Sequence, residues 1–348
     1  MTTVPAHTGM TVDPELADMM NAVLASYRDG KPPQKNVSLD DGLWSSLDRL
    51  GLVRLTGRPD DGGSGAGWAE AAELMSAAVR HAVRVPLAEH DLLACWVLDT
   101  VGLTVDGALR TICVVDEHGT ATAVPWAISA ERVAVVWSDG DGHRVSDVDS
   151  ATLRITAGTN MIGEPRDVVE ADIAALASSG TMVDTAVVEQ LRLRSALVRA
   201  VQVCAALDVI LDMTIEHTSS RVQFGRSLSK FQAIQHMVAD IAAEAALARA
   251  ATEAALNAAI TSDWASDKMG FLVAVARSCT GHAASVAVRN AHQAFGAIGT
   301  TIEHRLHEYT RAALAWRSEY GSVQHWDDVV TQAALHAGGP GLWQLIAD

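Results

Sequence analysis

From Val168 to His336 the sequence is a long succession of Ala, Leu, Val and Met broken by polar residues at helical spacing. No other feature constrains the fold as much. A stretch of that length and texture is stable only as several long helices packed side by side around a shared apolar seam. Between about Leu103 and Thr156 the texture is different. Val, Ile and Thr alternate with polar residues in Arg110-Thr-Ile-Cys-Val-Val115 and Arg132-Val-Ala-Val-Val-Trp137. Glu117-His-Gly119 and Asp139-Gly-Asp-Gly142 supply turns, so a small antiparallel sheet is expected.

Ahead of that sheet, Asp13 is placed to cap a helix with Pro14 at its first position. Leu16, Met19, Met20, Val23 and Leu24 form one apolar stripe that runs to Arg28. Lys31-Pro-Pro is a break. A second helix is expected over about Asp41 to Leu50, stopping at Gly51, then a loop over Asp60 to Gly67 and an Ala-rich helix from Trp68 to Arg84. The fold class is therefore mostly α with a small central β domain. The divisions expected are 1–100 helical, 101–165 β and 166–348 a helical bundle.

At 348 residues and 49% hydrophobic content the chain can bury a large core. The formal net charge of −16 opposes non-specific attraction to nucleic acid or to anionic membrane. Cys95, Cys113, Cys204 and Cys279 have neither disulfide-framework nor zinc spacing. The start, Met1 to His7, has no basic segment followed by an apolar run, and the apolar segments are expected to be broken by charge before membrane-spanning length. A cytoplasmic address is expected. The Gly run at 61–67 lacks the G-K-[ST] of a phosphate loop and reads as surface. Glu303, His304, His307 and Glu308 lie at helical spacing, but no further ligand set accompanies them. A capped or ion-paired helix face is the expectation, and no metal.

Two motifs remain. Arg221-Val-Gln-Phe-Gly-Arg-Ser-Leu-Ser-Lys-Phe-Gln232 follows a helix expected over Asp184 to Thr218, and Gln293-Ala-Phe-Gly-Ala-Ile-Gly299 follows another. In this order they resemble the C-terminal domain of the acyl-CoA dehydrogenases, flavoenzymes that desaturate acyl-CoA thioesters. The order of helices, sheet and bundle is similar too, with a sheet that looks shorter than usual. Leu50-Gly-Leu-Val53 with the Gly-rich stretch resembles the family's N-terminal domain. Val124-Pro-Trp-Ala127, Ala130-Glu-Arg-Val133, Glu303-His-Arg-Leu-His307 and Ala315-Trp-Arg317 resemble short actinobacterial members.

The resemblance implies FAD. Its pyrophosphate would meet Arg221, whose planar fork of donors suits phosphate oxygens. The other matching positions are Gln223, Phe224, Phe231 and Gln232, with Gln293, Gly296 and Ala297 on the adenine and ribose side. Ala297 stands where the family has a second Gly. In the family these residues reach a flavin bound mainly by the neighbouring subunit.

The chemistry also needs a carboxylate base at the acyl chain. Carried without gaps from Gly299, the family's Y-E-G-T-like turn falls on Glu319-Tyr320-Gly321-Ser322. The base position then holds Tyr320, and Glu319, one residue early, is the candidate, with a surface carboxylate near Arg317 as its other reading. The alternative base position, Leu193 to Leu197, has no acid, and Glu189 lies nearly two turns away. The T-E-P-x-x-G-S and W-I-T-like segments that hold the isoalloxazine are absent.

Three functions stay open. The chain is one subunit of a dimer or α2β2 tetramer with a homologous acyl-CoA dehydrogenase subunit, as in members that degrade steroid side chains, and gives flavin-binding residues in trans. Alternatively it is a self-sufficient homo-oligomer with Glu319 as base, or a flavin-free scaffold. The family implies an acyl-CoA substrate and an electron-transfer flavoprotein as acceptor.

Overall fold

The structure is a computed structural model that describes residues 11–32, 37–140 and 142–347. The chain start, Pro33 of the Lys31-Pro-Pro break and Asp141 of the 139–142 turn lie outside the described residues. The first helices are α1 (Pro14–Arg28), α2 (Asp41–Arg49) and α3 (Trp68–Arg80). Asp13 accepts the Glu15 N–H and Asp40 the Leu43 N–H, each satisfying a donor that a helix start leaves free. Gly51, with φ 71°, closes the α2 end as expected. The Ala-rich helix stops four residues short of Arg84.

A π-helical segment, Ala88–Cys95, then leads into α4 (Trp96–Thr100). It buries Glu89, His90, Asp91 and Cys95 together. The His90 Nδ1 accepts the Arg110 N–H at 3.0 Å, and Asp91 accepts the Thr56 N–H at 2.9 Å. Burial holds His90 down at about 3 and raises Asp91 to about 6.

The strands are β1 (Arg110–Val114), β2 (Thr120–Pro125), β3 (Arg132–Asp139), β4 (Gly142–Asp149), β5 (Arg154–Thr156) and β6 (Arg166–Glu170). The short α5 (Ile173–Leu176) and β7 (Thr181–Val183) complete the region. They form two small sheets, β1-β3-β4-β7 and β2-β6-β5. The pairings are antiparallel except β1 with β3, which run parallel because β2 leaves the first sheet to pair with β6. Trp137, Val133, Val135 and Val169 lie in their shared core. The helical texture expected from Val168 therefore starts later. Val169 is fully buried in a ladder with Ile155 and Ala121, and that tertiary slot overrides local propensity.

The long helices are α6 (Thr185–Ser220), α7 (Gln232–Thr261), α8 (Met269–Phe295) and α10 (Val323–Ala347), with α9 (Leu306–Trp316) between the last two. The two-residue strands β8 (Val222–Gln223) and β9 (Arg226–Ser227) join α6 to α7. Alanine explains the closeness of α7 and α8. Ala245, Ala248, Ala255 and Ala259 on one, and Ala276, Ala283, Ala287 and Ala291 on the other, are buried with almost no side chain to separate the backbones. Cys204 on α6 meets Thr252 on α7, and Ser278 and His282 on α8 both bond Asp327 on α10.

By length and composition α8 does reach membrane-spanning scale, contrary to the expectation of earlier interruption, and half of its apolar stretch is buried within the protein. The chain divides into two compact units. One takes Met1–Ala22, Val79–Ala82 and Ala196–Asp348, and the other Val23–Ala78 and Val83–Ser195.

Candidate functional site

The first motif is a tight hairpin at the end of α6. The Arg221 N–H still bonds the His217 carbonyl at 2.9 Å, so the helix ends on Arg221, and the Leu228 N–H returns to the Arg221 carbonyl at 2.9 Å. Between them, Val222 pairs Ser227 and Gln223 pairs Arg226. Phe224 and Gly225 form the two-residue loop with φ 52° and 76°. Positive φ at both central residues matches the twist of a hairpin, and Gly225 accepts it freely. Phe224 does not, at a cost of roughly 1–2 kcal/mol. Its side chain is 89% exposed and meets the Phe231 ring only edge-on. An unfavourable backbone that presents a large apolar ring to solvent is poor economy for a monomer's stability.

Arg221, Gln223 and Gln232 are exposed, Arg226 lies over the Phe231 ring at 4.1 Å, and Phe231 is half-buried. Phe231 occupies the N-cap of α7 and offers no side-chain cap, so the first donors of a long helix stay open to an anion.

The second motif closes α8. Gln293 and Ala297 are exposed, and Gly296 turns the chain with φ 64° and ψ −144°. A Cβ at Gly225 or Gly296 would meet nothing within 4 Å, so both backbones are open to close approach. Gly299 is a packing glycine, since a Cβ there would lie 2.7 Å from the Phe295 Cβ. Stacked rings bring the motifs together. His217, one turn before Arg221, stacks on Phe295 with centroids 4.1 Å apart and planes at 15°. His304 meets the same ring at 4.7 Å and 64°. Exposed guanidinium and amide groups, open helix N–H donors and uncovered glycine backbone form a donor set that fits a diphosphate.

Glu319 is elsewhere. After α9 the chain turns through Tyr320 and Gly321, with φ 53° and 111°. The buried Arg277 of α8 grips this turn from beneath, donating to the carbonyls of Arg317 at 2.9 Å and Glu319 at 2.7 Å, with longer bonds to Trp316 and Gly321. Burial, then the charge of Arg199, pulls Arg277 down to about 9. The Arg199 Nε donates to the Glu319 Oε2 at 2.7 Å, and its guanidinium lies 5.2 Å from the Tyr320 ring centre. The partner of Glu319 is thus Arg199, not Arg317, which turns to Ser285.

Arg277 precedes Gln293 by sixteen residues on α8, about 24 Å, and Arg199 precedes Arg221 by about 33 Å. The two sets are well separated along the bundle, the first at the C-terminal ends of α6 and α8 and the second part-way along them. Sequence reasoning passed over Arg199, Arg277 and His217, and read His304 only as part of a capped or ion-paired helix face. The signal for the two arginines was a lone charge inside an apolar helical run, Leu197-Val-Arg-Ala-Val201 and Val273-Ala-Val-Ala-Arg277. Among the described residues, no group of three or more His, Cys, Asp or Glu is arranged to hold a metal. The His304 Nδ1 instead accepts the Leu306 N–H at 3.1 Å, and Arg305 pairs Glu308.

The fold and these motifs define a class, and comparison with known proteins agrees. Residues 185–333 match the family model described as the acyl-CoA dehydrogenase C-terminal domain. Residues 185–333 thus carry an acyl-CoA dehydrogenase C-terminal domain, and the chain as a whole is similar to members of that family. It is 26% identical over 292 residues to the acyl-CoA dehydrogenase IpdE2 of Mycolicibacterium smegmatis, covering 84% of this chain and 85% of that one. In structure it is similar to the ChsE4-ChsE5 complex of Mycobacterium tuberculosis, with a TM-score of 0.78, 21% identity and coverage of 93% and 98%. The steroid acyl-CoA dehydrogenase Tcur3481-Tcur3483, as its G363A variant, gives a TM-score of 0.79 at 20% identity, covering 92% and 98%. The family generally uses FAD.

Proposed function

We propose that this chain is a subunit of an FAD-dependent acyl-CoA dehydrogenase that desaturates an acyl-CoA thioester. In this reading it presents Arg221, Gln223, Phe224, Phe231, Gln232, Gln293, Gly296 and Ala297 to a flavin held mainly by a homologous partner. One observation carries the proposal. The dinucleotide-facing groups are exposed and open, whereas Glu319, well away along the bundle, is spent as the counter-charge of a buried arginine. Held by these residues and the partner, FAD would supply the acceptor for the hydride lost from the β carbon. The role of this chain is to hold the diphosphate and to order the hairpin against it.

The base comes from the partner. An acid whose oxygen already bonds Arg199 would have to break a buried ion pair before taking the α proton. Similarity to a two-component complex and to a steroid acyl-CoA dehydrogenase supports an α2β2 assembly and a steroid-CoA substrate. An electron-transfer flavoprotein then collects the electrons.

Expression alone and with a homologous subunit tests the proposal. The lone chain is expected to be colourless and inert, and the pair to carry flavin at about half occupancy per chain, the share one flavin per two chains gives. A lone chain that is yellow, and that an acyl-CoA bleaches, would establish the self-sufficient homo-oligomer instead.

A further inference from the structure

We propose that His217 and His304 belong to the diphosphate-binding wall of this half-site and take up a proton when the anion docks at Arg221. The inference rests on the half-site reading above. Its ground is the ring column. Phe295 is buried and carries one imidazole stacked on its face and another against its edge, with both imidazoles half-buried. The column bridges the two turns that the dinucleotide motifs form, with His217 one turn before Arg221 and Phe295 immediately before Gly296.

The charged surroundings leave that column short of negative charge. On α6 the titratable neighbours are Glu216 and Arg221, and the segment around His304 supplies Glu303, Arg305, His307 and Glu308. From α8 comes His292, whose Nε2 meets Thr310 at 3.1 Å and whose Nδ1 has no partner among the described residues. Glu308 is already paired with Arg305, and Glu303 and Glu216 are exposed. Arg221 is a fixed positive charge that acts on His217. Burial first, then His304 and Arg221 in the case of His217 and His307 in the case of His304, hold both imidazoles below the usual value.

A diphosphate against Arg221 offsets the positive charge beside His217 and adds negative charge to the column. The anion favours the imidazolium form, so binding raises both imidazoles and draws protons in. By linkage the same coupling makes affinity rise as pH falls. Each unit by which an imidazole is raised corresponds to about a tenfold gain in affinity between the alkaline and acid limits. The neutral flavin ring plays no part in this, so the effect is open to a fragment of the ligand.

The test is a histidine NMR titration of the full chain with and without saturating inorganic pyrophosphate, repeated on Arg221→Ala. His217 and His304 are expected to titrate at higher pH with pyrophosphate present, and Arg221→Ala to abolish the difference, while His118 in the other unit does not respond. In His217→Gln and His304→Gln the rise in affinity from pH 8 towards pH 5.5 should be lost. If pyrophosphate binds in an Arg221-dependent manner but both imidazoles titrate unchanged, the inference is overturned and the half-site stands. If pyrophosphate produces no saturable response, both are overturned.

Discussion

Two turns of the helical bundle, well separated along it, are of opposite kinds. In one, the Arg221–Ser227 hairpin keeps its polar groups exposed and tolerates a strained, uncovered Phe224. The other, Trp316–Gly321, is drawn inward, its carbonyls held by Arg277 and its carboxylate by Arg199. Both contain residues at positive φ, so strain alone does not mark function. The difference lies in what offsets it. Tyr320 and Gly321 are held by buried hydrogen bonds within the chain, whereas Phe224 has only a ring edge, which points to compensation from outside the chain.

The sharpest way to break this contrast is to remove the lock. Arg199→Ala leaves Glu319 beside Arg277 without its partner, and loss of one side of a buried pair costs about 3–5 kcal/mol. Urea midpoints should show this, and the double change Arg199→Met with Glu319→Met should restore much of it. A Glu319→Gln variant paired with the homologous subunit should keep its turnover. A collapse of turnover at unchanged stability would return Glu319 to the role of base.

Gly321→Ala follows in size. At φ 111° the added Cβ would lie 2.5 Å from the Trp326 Nε1, so a loss of about 1–3 kcal/mol is expected from the backbone and the clash together. The matched change in the hairpin, Phe224→Asn, should go the other way. Asn accepts left-handed backbone, so the lone chain should gain roughly 1 kcal/mol while flavin retention in the assembly falls. A stabilised chain that still holds flavin normally would remove Phe224 from the half-site. Arg221→Lys sharpens the contrast without touching the core. The midpoint should not move, and flavin affinity of the assembly should drop on the order of tenfold as a forked contact becomes a single one.

How legible each turn was follows from how local its determinants are. The hairpin and the α8 turn are written in consecutive residues, Phe224-Gly225 and Phe295-Gly296, and the helix boundaries at Ser220 and Gln232 follow from them. The lock is not local. Glu319 and Arg199 are 120 residues apart, and nothing near either names the other. The same holds for the parallel pairing of β1 with β3, which depends on β2 leaving to join a strand some forty residues on. The meeting of His217 with Phe295 is also distant in sequence, so the two motifs could be read while the contact joining them could not. The base question was visible only as a mismatch, Tyr320 where an acid was expected. Its explanation needed Arg277, a charge that from sequence alone was one polar residue in an apolar helix.

The smallest expected effect is a pH dependence that separates the two turns. His217, His292 and His304 have folded-state values below the ordinary 6.5, chiefly through burial. The unfolded chain therefore binds protons that the folded chain does not. Their contribution to stability is complete above 6.5 and declines as pH falls through 6.5 toward the lowered values. His90, in the other unit, acts in the same direction down to about 3, but Asp91 beside it opposes. Asp91 takes up its proton in the folded chain near 6 and in the unfolded chain only near 3.8, so between those values it offsets the proton that unfolded His90 binds. Carboxylates held low, such as Asp327, lose stability only below the ordinary 3.8. Between pH 6 and 4 the remaining slope thus belongs mainly to imidazoles in the unit that carries the half-site, His81 included. Thermal midpoints of the lone chain should fall across this interval, and His217→Gln with His304→Gln should flatten the fall even if the loss of stacking lowers every midpoint. Arg199→Ala should displace the curve without changing its shape. If the histidine variants shift the curve in parallel and the arginine variant changes its slope, the assignment of the two turns is reversed.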